Sequence, residues 1–111
     1  MDYEELGPID REEAARELSS GEKDRVCRAL IRLALHEPDP VWAQDQLVHW
    51  LEHAPDAWTR GVAAIGLGHV ARLHGQLDRS RVLPLLEGLR DHPTIGGKVE
   101  DALGDIEQFA G

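Results

Sequence analysis

One stretch limits the possible folds more than any other. Residues 58–73 read WTRGVAAIGLGHVARL, with small residues at Gly61, Ala63, Ala64, Gly66 and Gly68 interleaved with Val62, Ile65, Leu67 and Val70. Each glycine inside a helix costs about 1 kcal/mol relative to alanine. A helix that carries several of them needs compensation, and the usual physical source is close approach by neighbouring helices where no side chain intervenes. The stretch is therefore expected to be a helix buried on several sides. By the same reading the Gly-Leu-Gly at 66–68 lies inside a helix rather than after a strand, so it is not a phosphate-binding loop.

Proline and glycine punctuate the rest. Five further stretches carry helical periodicity and no strand pattern competes. Asp10 should cap the first, with Glu12 and Glu13 in its first turn and Gly21 as its stop. The second is expected from about Glu22 to His36, with Val26, Ala29, Leu30, Leu33 and Ala34 on one face. The sequence EPDP at 37–40 then breaks the chain, and Asp39 caps a third helix that opens on Pro40. That helix carries Ala43, Leu47, Trp50, Leu51 and Ala54 to a stop near Pro55. The segment from Asp56 to His74 follows, then a helix from about Asp78 to Arg90, and a last one after DHPTIGG. With 111 residues, 41% of them hydrophobic and 30% charged, the chain fits one domain with one core.

The chain also repeats itself. Leu33-Ala34, Leu67-Gly68 and Leu103-Gly104 each set a large residue before a small one, at offsets of 34 and 36 residues. Leu47, Val48 and Leu51 align with Leu85, Leu86 and Leu89 at a constant offset of 38. The pattern VAAIGLGHVARL…VLPLLEGLRDHP…VEDALGDI, with RVCRALIRLAL…QLVHWL as a weaker copy before it, resembles HEAT-like helical repeats, in which an A-x-A-L-G first helix packs on a leucine-rich second one. The resemblance implies an all-α fold, a short HEAT-like solenoid of about five helices, against which a closed four- or five-helix bundle is the alternative. Residues 1–9 would be a flexible lead, 10–20 a capping helix, 22–54 and 56–91 two repeats, and 95–109 a terminal half-repeat. One amphipathic pair cannot cover its own apolar face, which is the reason to expect stacking.

Charge sets limits on partners. The net charge of −9 is terminal: residues 1–24 carry −6, residues 25–90 carry +1 and residues 91–111 carry −4. This disfavours nucleic acid or an anionic membrane as the main ligand and permits a cationic protein. No stretch approaches the roughly 18 apolar residues of a membrane span, and the acidic start lacks the marks of a secretory signal. A single cysteine, Cys27, forms no internal disulfide. A cytoplasmic location is expected.

No catalytic residues and no cofactor are expected, and the chain reads as a binding protein rather than an enzyme. His49 and His53 share one face of the third helix, but two ligands are too few for a closed metal site and Glu52 points elsewhere, so no metal centre is assigned. Iron-binding helical-repeat hydroxylases use His-Glu pairs on several helices, and here the only such pair is His36-Glu37. Cys27 is expected in the core. His36, His69, His74 and His92 lie near helix ends or amid apolar residues, and Ser19, Ser20, Thr59, Ser80 and Thr94 fall at helix boundaries, where capping accounts for them.

The tryptophans say more. Trp42, Trp50 and Trp58 cluster within seventeen positions, and the repeat sets Trp42 opposite Ser80 and Trp50 opposite Gly88. If the matching places need no bulk, Trp42, Gln46, His49, Trp50 and His53 form a surface stripe able to anchor a partner. With Glu12, Glu13 and Glu17 at one end and Asp101 and Asp105 at the other, the expectation is a protein-binding module. Small acidic immunity proteins that cover the basic cleft of a nuclease toxin are what the chain looks like; the alternatives are a general adaptor or a metal-binding protein using His49 and His53.

Overall fold

The structure, a computed structural model, describes residues 7–110, and these form six helices and no strand. They are α1 (Arg11–Leu18), α2 (Lys23–His36), α3 (Pro40–His53), α4 (Ala57–His74), α5 (Arg79–Glu87) and α6 (Gly96–Phe109). The fold is all-α, with the apolar segment itself supplying the sixth helix.

Aspartate starts four of the six. The carboxylate of Asp10 accepts from Glu13 N–H at 2.7 Å, that of Asp39 from Val41 N–H at 3.0 Å, that of Asp56 from Thr59 N–H at 2.8 Å and that of Asp78 from Arg81 N–H at 3.3 Å. Each satisfies a donor that the first turn leaves open. Two starts differ: Glu22 makes no side-chain cap for α2, and ahead of α6 the ring nitrogen Nδ1 of His92 accepts from Thr94 and Ile95 N–H at 3.1 and 3.4 Å. Glycine ends α4, where Gly75 takes φ +64° in the left-handed region. The helix expected to reach Arg90 stops at Glu87: Gly88 N–H still returns to the Pro84 carbonyl, but Leu89 and Arg90 N–H bond the carbonyls of Leu86 and Glu87 in tighter three-residue turns.

α4 is the axis of the molecule. It packs against α2, α3 and α6, and ten of its eighteen residues are buried. Its glycines explain how. A Cβ on Gly66 would meet Leu47 Cδ2 at 2.6 Å, one on Gly61 would meet Ile95 Cγ2 at 3.0 Å, and one on Gly68 would meet Asp105 Oδ2 at 2.9 Å and the backbone of Ala102 at 3.3 Å. Three absent side chains thus admit two different neighbours: α3 at Gly66, and α6 and its leading residue at Gly61 and Gly68. Leu30, Leu33, Leu47, Leu51, Leu67, Leu86, Ile95 and Ile106 fill the core between these helices.

The packing order runs α1–α2–α4–α6, with α3 set on α2 and α4 and α5 leaning on α3 and α6. The hairpins α1–α2 and α3–α4 pack more extensively than α2–α3 does, one helix out of step with the units expected at 22–54 and 56–91. The molecule measures 30 × 28 × 25 Å. No described helix is long and apolar enough to cross a membrane. Of the lead expected over 1–9, residues 1–6 lie outside the described part. Ile9 is buried, and Arg32 donates to the carbonyls of Gly7 and Pro8 at 2.9 and 2.6 Å, so these three residues are pinned.

Candidate protein-binding face

α3 divides into two faces. Ala43, Gln44, Leu47, Val48 and Leu51 are buried, and Gln44 accepts from Asp78 N–H at 2.7 Å, tying the start of α5 to the α3 face. The outward stripe holds Gln46, His49, Trp50 and His53. His49 and His53 are exposed; Gln46 and Trp50 are half-buried, Trp50 with one side against the core. The His49 ring meets Trp50 edge-on with ring centres 6.0 Å apart and lies 4.9 Å from the ring of His53. His49 thus links Trp50 and His53, and Gln46 lies one turn before Trp50 on the same helix.

Trp42, placed in the same stripe by its sequence spacing, has a separate environment. The Arg11 guanidinium lies 4.7 Å from the centre of its ring and also pairs with Glu37 at 3.1 Å and Asp39 at 3.3 Å. One side of Trp42 is therefore occupied by α1, and the residue belongs to the α1–α3 junction. Glu37 is the anchor of that junction: its side chain is 6% exposed, and it also accepts from Asp39 N–H at 3.3 Å. The sequence pattern offered Glu37 only as a neighbour of His36; its burial comes from α1 folding over the turn.

Trp58 is the residue that sequence reasoning passed over. It is 50% exposed, the most open of the three tryptophans, and Lys98 Nζ stands 4.5 Å from its ring centre. The Lys98 stem crosses the space above Gly61, where a Cβ would meet Lys98 Cδ at 3.0 Å. The inference from Gly88, set opposite Trp50, fails: α5 has already ended at Gly88, so the two positions are not equivalent in the fold.

The acidic residues separate into paired and open groups. Glu13 meets Arg32 at 3.0 Å, and Glu17 receives both Arg25 Nε and Nη2 at 2.7 and 3.0 Å, a forked contact that holds its carboxyl below the usual carboxylate range. Glu12 is 88% exposed and reaches Arg16 at 3.6 Å. On α6, Asp105 is half-buried against Gly68, whereas Asp101 and Glu107 are exposed and make no ion pair among the described residues. The two acidic ends sit on different helices with α2 and α4 between them in the packing order, so they are two surfaces and not one.

The remaining titratable groups have structural surroundings. Cys27 is half-buried rather than fully enclosed, its Sγ 3.6 Å from Thr59 Oγ1 at the α2–α4 joint, and burial pushes its thiol pKa up. Burial, followed by the charge of Arg72, pushes His69 down, while Asp105 opposes the shift. No group of three His, Cys, Asp or Glu side chains that could hold a metal ion is found among the described residues. No protein-family profile, characterised protein or solved structure matches the chain.

Proposed function

We propose that the protein is a protein-binding module with the α3 stripe as its contact face. The observation that carries this is the grouping of Gln46, His49, Trp50 and His53 on one outward surface while the opposite face of the same helix is fully committed to the core. A large aromatic ring half open beside two imidazoles offers apolar area that loses little conformational entropy when a partner closes over it. Exposed Trp58, held in place by Lys98, adds a second anchor near the end of the α3–α4 hairpin.

The partner we propose is cationic, of the kind presented by a nuclease-type toxin, and the protein acts as its neutralising immunity partner. The net charge of −9 supports this, as do the open carboxylates Asp101 and Glu107 and exposed Glu12. Complementary charge would accelerate encounter, and dry contact around Trp50 would slow release.

Co-purification of the tagged protein with the products of its neighbouring genes, followed by titration at several salt concentrations, tests this function. The expected result is a complex with a basic protein that weakens as salt rises, and weakens at least tenfold for Trp50→Ala. No complex, or one indifferent to both salt and Trp50→Ala, would overturn the reading. A partner without toxin activity would make the protein a general adaptor.

A further inference from the structure

We propose that His49 and His53 form a two-ligand surface site for a borderline divalent transition ion: Zn(II), Cu(II) or Ni(II). Four residues separate them on α3, so both imidazoles leave the helix on the same face, one turn apart. Both are exposed, and their ring centres lie 4.9 Å apart with the planes tilted by 46°. That separation suits chelation. A metal–nitrogen bond of about 2.0–2.1 Å puts each imidazole centre about 3.2 Å from the ion, so coordination angles of about 90–109° set the two centres about 4.5–5.2 Å apart.

Neither ring is committed elsewhere. Among the described residues neither His49 nor His53 takes part in a hydrogen bond or ion pair; their contacts are with each other and, for His49, with the edge of Trp50. His53 stands in the last turn of α3, where the unsatisfied carbonyls make the local field favourable to a cation. Neutral imidazole is a good ligand for all three ions and a poor one for Mg(II) or Ca(II).

The protein supplies two ligands and no third. The rest of the coordination sphere is left to water or to another molecule, so the site is exchangeable, weaker than a closed four-ligand centre, and not a contributor to the core. The inference is independent of the protein-binding reading: the ion needs the two imidazoles alone.

Isothermal titration of the full chain with ZnCl2, CuCl2 and NiCl2 in a non-coordinating buffer at neutral pH tests it. One ion per chain is expected, with affinity falling at least tenfold in His49→Gln and in His53→Gln. Because both side chains are exposed, the variants should melt as the parent does, and circular dichroism checks this. His36→Gln, His74→Gln and His92→Gln should bind as the parent does. Cu(II) bound here should quench Trp50, and Trp50→Phe should remove more of the quenching than Trp42→Phe. No binding at millimolar ion, or binding unchanged in both His49→Gln and His53→Gln, would overturn the proposal.

Discussion

α1 and α4 are attached to the same protein by different physics. α4 is held by shape: ten buried residues, three glycines that admit α3 and α6, and leucines from its neighbours. α1 has eight residues, of which only Ala14 is fully buried, and it crosses to its surroundings through Arg11–Glu37, Glu13–Arg32 and Glu17–Arg25. A helix that short has little stability of its own. The comparison teaches that Glu13 and Glu17, which as a sequence look like free negative surface, are consumed in fastening α1, whereas Asp101 and Glu107 on α6 stay open.

The contrast can be broken first at its strongest point. Leu47→Ala empties the side chain facing Gly66 and should destabilise the protein by about 2–5 kcal/mol in urea unfolding, with little dependence on salt. A loss under about 1 kcal/mol would mean that α3 and α4 are less tightly joined than the approach of Leu47 to Gly66 implies. Gly66→Ala approaches the same contact from the other side. The added methyl would sit 2.6 Å from Leu47 Cδ2. Overpacking of about 1–3 kcal/mol should outweigh the gain of about 1 kcal/mol in helix propensity, for a net loss of about 1 kcal/mol. Stabilisation by Gly66→Ala would remove the packing reason for that glycine.

Asp56→Ala should cost about 1 kcal/mol by thermal melting, because Thr59 N–H loses its acceptor at the start of α4. An unchanged melting point would show that burial alone holds this helix end.

Acid sharpens the comparison further. Hydrogen bonds and basic neighbours hold the carboxyls of Glu17, Asp39, Asp56 and Asp78 below their ordinary values. Carboxyls lowered in the folded state contribute stability that is present above the unfolded value of about 4 and lost as pH falls through the folded values. Melting temperature should therefore drop steeply below about pH 4. His69, also lowered on folding, is neutral where the unfolded chain would be charged, so it adds a gentler loss as pH falls through about 6.5. His69→Gln should flatten the profile between about pH 7 and 5 while leaving the acid limb in place. The smallest effect is the most local: at 1 M salt, where screening acts over about 3 Å, amide exchange in α1 should quicken while α4 is unchanged. Equal acceleration in both helices would end the distinction between them.

Much of the fold was legible before any coordinates. Asp10, Asp39, Asp56 and Asp78 sit at helix starts because a short acceptor side chain is the local solution to an open N–H, and local solutions are readable from neighbouring residues. The inner face of α2 was visible for the same kind of reason, since period 3.6 is written into the chain. The stripe of Gln46, His49, Trp50 and His53 followed from spacing on one helix. Trp42, Trp58 and Glu37 did not, because each owes its surroundings to another element: Arg11 from α1, Lys98 from α6, and the closure of α1 over the turn at Glu37.

By itself, the amino-acid sequence determined that the chain is helical, where most helices begin, which faces are apolar, and that a glycine-rich helix must be tightly surrounded. Only the tertiary structure decided which helices pair and which neighbour each glycine admits. It also decided which carboxylates are paired and which tryptophan stands open. Periodicity and capping act over a few residues and leave a mark at every position. Packing partners and ion pairs join residues far apart in the chain, and many arrangements of the same faces satisfy the same local pattern.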